Sequence, residues 1–174
     1  MVLQAIRYKR GELQILDQLR LPHAEVYDEI KTSTDAWHAI KDMRTRGAPA
    51  IAIVAALALA VEVEAIARKS ELSTIAEEVE AFFQEKLDYL VTSRPTAVNL
   101  ADAARKLQKV IQSAATTQDA SGVSVKDAYL KAAEQMLVDD VSDNEAIGRH
   151  GAEWILKHAS RSGQVSILTH CNTG

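Results

Sequence analysis

Alternation of apolar and polar residues at the start of the chain predicts a small β-sheet. It runs through residues 3–7 and 12–16, on either side of the Lys-Arg-Gly turn at residues 9–11, and this arrangement is typical of a β-hairpin. Residues 26–30 predict a third short strand because they are rich in residues that favour extended backbone.

Helical spacing replaces alternation after this point. Trp37, Ile40 and Met43 recur at intervals of three, which predicts an amphipathic helix capped by Thr32 or Thr34. A glycine at position 47 ends this helix, and a second is predicted over residues 48–68. Its first 14 residues are apolar apart from Pro49, and proline is tolerated in a first helical turn. A membrane crossing requires about 20 residues, so we expect a helix buried on all sides.

Two further helices are predicted around the Arg-Pro interruption at residues 94–95. Thr74 and Glu77 have the spacing of a capping box for the first of them. The second is expected over residues 96–112, with Ser93 or Thr96 as its cap. The inward positions predicted for the first helix are Ala81, Phe82, Leu87 and Leu90. In the second helix, the spacing indicates an amphipathic surface at Val98, Ala101, Arg105 and Val110.

The last part of the chain predicts two helices and a strand. Ser124 and Asp127 resemble a capping box for a helix through about Val141, and Asp143 can cap another that reaches His158 with a break at its glycines. Residues 165–168 are apolar apart from Ser166 and include the β-branched residues Val165 and Ile167, which predicts a buried strand. A strand needs partners at its edges, so we expect these 174 residues to be the first part of a longer protein.

Composition narrows the classes of function. The net charge of −4 and an aromatic fraction of 5% argue against nucleic-acid binding. Since no continuous apolar run reaches the length of about 20 residues that a membrane crossing requires, we expect no membrane partner. One cysteine cannot form an internal disulfide, which fits a reducing compartment. A cysteine beside a histidine supplies fewer than the three or four ligands that a metal site requires.

Three segments carry candidate chemistry. Arg46, Gly47 and Ala48 precede a helix, where free N–H groups and the helix dipole favour an anion and arginine adds a planar fork for phosphate. Arg94 lies at an interruption between helices, where side chains can face a cleft. The alternative interpretation of both is an ordinary helix boundary beside a solvated arginine.

The third segment is the Thr-His-Cys-Asn-Thr-Gly sequence at residues 169–174. It follows the predicted strand, and loops past the carboxyl ends of strands bind ligands in α/β proteins. Cys171 is the candidate catalytic residue, with a small buried apolar side chain as the alternative. His170 and Cys171 point in opposite directions if both continue the strand, which argues against a simple Cys-His pair.

Together, the three segments resemble the N-terminal half of the S-methyl-5-thioribose-1-phosphate isomerases. The chain is also similar to that family at residues 4–8, at residues 13–19 and at residues 143–151. The wider family includes ribose-1,5-bisphosphate isomerases and regulatory subunits of the exchange factor that recycles eukaryotic translation initiation factor 2.

This resemblance implies an α+β to α/β fold. Residues 1–160 would form a β-hairpin and a helical domain, and residues 161–174 the first strand of a truncated Rossmann-like domain. It implies an aldose–ketose isomerase of methionine salvage that needs no cofactor or metal. The enzyme would be cytoplasmic, with the nucleus as a second location, and a homodimer at full length.

The same resemblance assigns roles to residues. Arg46, Gly47, Ala48 and Arg94 would bind the sugar phosphate, and Cys171 would be catalytic. The general acid/base aspartate of the family belongs to its C-terminal domain, so the chain as given is expected to be inactive. Two alternatives stay open: a non-catalytic regulatory subunit like the translation-factor relatives, and a fragment that acts only through folding or dimer contacts.

Overall fold

The computed structural model describes residues 3–159 and 165–168 and begins with a three-stranded antiparallel sheet. The strands are β1 (Ile6–Lys9), β2 (Glu12–Leu16) and β3 (Tyr27–Glu29), in that spatial order. Gly11 takes a φ of +85° in the turn between β1 and β2, a conformation that glycine adopts without steric cost. The predicted hairpin and third strand are confirmed.

One face of β2 attaches the sheet to the helices. Leu13 and Ile15 are buried, whereas Glu12 and Gln14 between them are exposed. This is the two-residue period of a strand with one face against a core.

The first helix, α1 (Ser33–Lys41), is held by a capping box. Thr32 accepts a hydrogen bond from the Asp35 backbone N–H, and the Asp35 carboxylate accepts one from the Thr32 N–H. Thr32 is therefore the cap, one of the two threonines that the sequence allowed. Met43 was wrongly predicted to lie on this helix: it follows the helix end with a φ of +62° and is exposed.

The second helix, α2 (Ala48–Arg68), forms the centre of the molecule. It packs against α1, α4, α5 and β2, and nearly every residue from Ile51 to Val63 is buried. Among the described residues, it is the one helix long and apolar enough to cross a membrane by length and composition. Its packing accounts for that composition, since a helix surrounded by other helices is apolar all round.

The third helix, α3 (Ala76–Val91), differs from prediction at its start and on its inner face. Ile75 is the cap residue, and the Ser73 hydroxyl accepts the Ile75 N–H at 3.1 Å, so the Thr74–Glu77 capping box is wrong. Phe83 is fully buried and stacks on Tyr129 of the last helix at a centroid distance of 4.2 Å, whereas Ala81 is exposed.

The fourth helix, α4 (Val98–Ala115), follows the predicted Arg-Pro interruption, and its buried residues are not those that the spacing singled out. Val98 is 75% exposed, and the core positions are instead Leu100, Ala103, Ala104, Leu107 and Ile111. Several helical registers are compatible with so many small apolar residues, and contacts with α2, α3 and α5 select one of them.

The last helix, α5 (Gly122–His158), is continuous over 37 residues, so the predicted division near Val141 is wrong. Its capping box joins Ser121 to Ser124 rather than Ser124 to Asp127. Gly148 and Gly151 lie within it, because a glycine in a helix costs only about 1 kcal/mol and does not by itself end it.

Residues 165–168 are not a strand, which corrects the prediction of a buried β-strand there. Leu168 is 97% exposed and Ile167 is 72% exposed. A strand forms only with a hydrogen-bonding neighbour, and within residues 3–159 the sheet ends at β3. The described residues thus form a small antiparallel sheet followed by five helices. The helices α1 to α5 together are called the helical body.

Candidate functional site

Arg46 and Gly47 lie between α1 and α2, and Ala48 is the first residue of α2, as the sequence predicted. Gly47 is the cap residue of α2, with φ +97° and ψ 130°, and its carbonyl accepts the Ile51 N–H at 3.0 Å. A φ in this region strains residues that carry a Cβ atom, which explains why a glycine suits this position.

The start of α2 has the chemistry of an anion site. N–H groups in a first helical turn lack carbonyl partners within the helix and carry the positive end of the helix dipole. The first turn contains no acidic residue. Arg46, Gly47 and the N–H groups that begin α2 are called the anion site below.

Arg46 itself is half-buried and held against the loop after β2. Its Nη2 donates to the carbonyl oxygen of Gln18 at 3.3 Å, and Gln18 Nε2 donates to the carbonyl oxygen of Arg46 at 3.4 Å. Arg46 Nε is buried and has no hydrogen-bond partner among the described residues. A buried guanidinium N–H without an acceptor suits a site that takes a negatively charged ligand.

Arg94 lies in the connection between α3 and α4, where its carbonyl accepts the Ala97 N–H at 2.9 Å and closes a turn. Neither Ser93 nor Thr96 caps α4, because Ala97 occupies the cap position. Ser93 is buried, and its hydroxyl donates back to the Leu90 carbonyl at 2.6 Å. Its hydroxyl closes the end of α3 and has no role at the start of α4.

A cleft lies between the first turns of α2 and α4, the two helices that follow the arginine-containing segments. It has a volume of about 460 Å³, and its lining includes Pro49 from the start of α2 and Asn99 from the start of α4. Ile53, Leu107 and Met136 contribute apolar surface to it. The tertiary structure therefore brings the starts of α2 and α4 to one opening, although neither Arg46 nor Arg94 belongs to its lining.

The charges around this cleft are mostly negative. Asp139, Asp140 and Asp143 of α5 line it together with Asp102 and Lys106 of α4. Lys106 Nζ lies 2.8 Å from an Asp102 carboxylate oxygen, and this hydrogen bond lowers the pKa of Asp102. Negative charges repel an anion, so the aspartates make the middle of the cleft unfavourable for an anionic ligand.

Cys171 and the loop at residues 169–174 lie outside the described residues. Within the part of the chain that the structure describes, no group of three histidine, cysteine or carboxylate side chains has the arrangement of a metal site.

Residues 44–174 match the model of the initiation factor 2 subunit family. The chain belongs to the initiation factor 2 subunit family. The match begins just before Arg46 and includes α2 to α5, so it covers the anion site and the cleft.

Individual relatives within the family carry a more specific name. The chain is 69% identical to a methylthioribose-1-phosphate isomerase of Pyrenophora tritici-repentis, across 100% of this chain and 44% of that protein. A methylthioribose-1-phosphate isomerase of Neosartorya fischeri is 59% identical across 99% of this chain and 45% of its own length. The chain thus spans less than half the length of these curated relatives.

Two solved structures share the fold. A 5-methylthioribose 1-phosphate isomerase from Pyrococcus horikoshii matches with a TM-score of 0.75 and 28% identity, over 87% of this chain and 40% of that one. The delta subunit of translation initiation factor eIF-2B from A. fulgidus matches with a TM-score of 0.71 and 29% identity, over 88% and 42%. The fold therefore occurs in proteins of both names.

Sequence reasoning did not single out Gln18 or the aspartates at residues 139–143. Gln18 lies 28 positions before Arg46, so only the tertiary structure shows their contact. The acidic cluster on α5 was visible in the sequence as four carboxylates within seven residues, at positions 139–145.

Proposed function

We propose that this chain is the N-terminal part of a methylthioribose-1-phosphate isomerase. The observation that carries the proposal is 69% identity, across the whole chain, to a relative of that name. Under this proposal the complete protein converts the aldose methylthioribose 1-phosphate into the ketose methylthioribulose 1-phosphate in methionine salvage. We propose a cytoplasmic location, with the nucleus as a second one, and a homodimeric complete protein.

Arg46, Gly47 and Ala48 would bind the phosphate of the substrate. The unpartnered Arg46 Nε and the start of α2 supply N–H donors and positive charge. The phosphate stays on the sugar throughout this isomerisation, so a fixed anion site serves substrate and product alike. Arg94 would contact the same ligand from the connection before α4, the helix whose first turn lines the cleft together with the first turn of α2.

Cys171 would be the catalytic residue of this part of the protein. The substrate carries phosphate on its anomeric carbon, so opening the ring requires a general acid at the ring oxygen. Hydrogen then moves from C2 to C1, through an enediol or as a hydride. Cys171 would act as a base in the first route if its pKa is lowered, and as a polarising neighbour in the second. The acid/base aspartate would come from a Rossmann-like second domain.

Substitutions in the complete protein test these assignments. Arg46→Ala is expected to raise KM about 30-fold or more, as for loss of a charged hydrogen-bonded contact, with little change in kcat. Cys171→Ser is expected to lower kcat by several orders of magnitude with near-normal substrate binding. Arg149→Ala, at an exposed position on α5, is the matched control. If Arg46→Ala has native kinetics, Arg46 does not bind the substrate.

A regulatory subunit is the second candidate, favoured by the match to the eIF-2B delta subunit. The two candidates make opposite predictions for the sugar phosphate. Isothermal titration of methylthioribose 1-phosphate into the chain is expected to show binding that Arg46→Ala abolishes. No turnover by the complete protein and no binding by the chain would favour the regulatory subunit.

A further inference from the structure

Gln18 and Arg46 form a reciprocal pair across two loops. Each residue donates a side-chain hydrogen bond to the main-chain carbonyl of the other, at 3.4 Å from Gln18 and 3.3 Å from Arg46. Gln18 also donates its main-chain N–H to the carbonyl of Arg44 at 2.9 Å. Three hydrogen bonds therefore join position 18 to the segment that leads into α2.

The loop that carries Gln18 is itself well anchored. Asp17 is 7% exposed, and its carboxylate accepts the Leu19 N–H at 3.0 Å, while its carbonyl accepts the Arg20 N–H at 3.1 Å. The Asp17 N–H in turn donates to the Val26 carbonyl at 2.8 Å. These bonds form a compact turn directly after β2, and they fix the position of the Gln18 backbone.

The contact from Gln18 orients a whole peptide unit. A trans peptide is planar, with its C=O and N–H pointing in opposite directions. Because the Arg46 carbonyl points towards Gln18 Nε2, the N–H of the same unit, on Gly47, points away from Gln18. Gly47 has the φ of +97° that permits this orientation ahead of the helix.

Gln18 accepts a hydrogen bond from the Arg46 guanidinium, but this contact uses only one of its N–H donors. Arginine has five N–H donors, and the contact to the Gln18 carbonyl uses one on Nη2 at the long end of hydrogen-bond distances. The buried Nε keeps its donor without an acceptor among the described residues.

We propose that Gln18 is a positioning residue for anion binding, which orients the Arg46 guanidinium and the Gly47 N–H towards the phosphate of the ligand. The proposal rests on the anion site of the proposed function and adds a residue to its support. Gln18 does not touch the ligand in this proposal. It acts through the Arg46 carbonyl and through its own carbonyl, which accepts from Arg46 Nη2.

NMR of the labelled 174-residue chain tests the proposal with two readouts. The first is the ¹⁵N–¹H nuclear Overhauser effect of Arg46 Nε and Gly47 N in the free protein. The second is the affinity for inorganic phosphate, from shift changes at the same two groups. Gln18→Met keeps the length of the side chain and removes its donor. Gln14→Met, at an exposed position on β2, is the matched control, and Arg46→Ala is the reference for loss of the anion site.

Gln18→Met removes the hydrogen bond to the Arg46 carbonyl and keeps the main-chain Gln18 carbonyl that accepts from Arg46 Nη2. It is therefore expected to lower the Overhauser effect more at Gly47 N than at Arg46 Nε, and to weaken phosphate binding about five-fold, as for loss of one net hydrogen bond. Gln14→Met is expected to leave both readouts unchanged. Native values of both readouts in Gln18→Met would overturn the positioning role.

Failure of the anion site itself gives a separate result. The anion site is refuted if the unsubstituted chain does not bind phosphate. It is also refuted if Arg46→Ala binds phosphate with the same affinity as the unsubstituted chain. The Overhauser effects in the free protein then still report whether Gln18 orients Arg46 and Gly47. Unchanged effects in Gln18→Met would overturn that part as well.

Discussion

Tyr8 of β1 donates a hydrogen bond from its hydroxyl to the Glu134 carboxylate of α5 at 2.9 Å, across 126 positions of the chain. Arg10 donates two further bonds to the same carboxylate, at 2.9 and 2.6 Å. These contacts attach the hairpin to the helical body through one acidic side chain. The bonds from Arg10 outweigh partial burial and lower the pKa of Glu134.

Glu134→Gln is expected to make the domain less stable at neutral pH by about 1 kcal/mol, since the pair is partly exposed. A lowered native pKa stabilises the fold above the unfolded value of about 4.3. That contribution is lost as the pH falls through the native pKa. Urea unfolding is expected to show a larger loss of stability in Glu134→Gln at pH 7 than at pH 3. Glu145→Gln, exposed on the same helix, is the control, and an equal loss in both variants would contradict the prediction.

Tyr129 of α5 combines a core stack with one hydrogen bond. It is 0% exposed, stacks on Phe83 at 4.2 Å and donates its hydroxyl to the Ala56 carbonyl at 3.0 Å. Tyr129→Phe is expected to cost about 1 kcal/mol for the bond, and Tyr129→Ala about 3–5 kcal/mol for the cavity. Denaturant midpoints measure both, and equal losses would show that the ring contributes nothing beyond the hydroxyl.

Gly47→Ala is expected to lower the stability of the fold, whereas Gly148→Ala is expected to raise it. A Cβ atom at Gly47 would meet only Ala50 Cβ at 3.9 Å, so Gly47→Ala is disfavoured by its φ of +97° and not by crowding. We expect a loss of about 1–3 kcal/mol, the usual cost of a sparsely populated backbone conformation. Gly148 lies in α5 with nothing within 4 Å of an added Cβ, so Gly148→Ala is expected to gain about 0.5–1 kcal/mol. Thermal unfolding with circular dichroism measures both, and a stabilising Gly47→Ala would contradict the backbone argument.

The end of α5 is expected to promote self-association of this 174-residue chain. Trp154 is 63% exposed and Leu156 is 78% exposed, and Ile147 is exposed on the same helix. Exposed apolar surface of this kind favours contacts between molecules. Sedimentation velocity is expected to show concentration-dependent oligomers that decrease in Trp154→Gln/Leu156→Gln. Lys157→Gln is the control, and a monomer at all concentrations would refute the expectation.

Sequence patterns predicted the helices and strands whose boundaries are set by residues adjacent in the sequence. The alternation before Gly11 predicted the hairpin, and Gly47-Ala48-Pro49 predicted the start of α2. The same local signal identified Arg46 as a candidate, because arginine, glycine and a helix start are adjacent in the sequence. A proline at residue 95 similarly marked the boundary between α3 and α4.

Packing decided the features that sequence reasoning missed. α4 has enough small apolar residues for several inward faces, and contact with its neighbours selected the one with Leu107 and Ile111. The cap of α5 lies three residues before the predicted one because Ser121 and Ser124 both offer a hydroxyl, and α3 begins after Ile75, which has no capping side chain. Residues 165–168 were apolar enough for a strand, but strand pairing needs a neighbour that the described residues do not supply.

The sequence by itself determined that a basic side chain, a glycine and a helix start adjoin at Arg46 and Gly47, because this arrangement needs only neighbouring residues. The tertiary structure decided which residues support and surround that chemistry. It placed Gln18 against Arg46 and brought Pro49 and Asn99 to one cleft. Such contacts join residues far apart in the chain, and their geometry depends on how whole helices pack rather than on any local pattern.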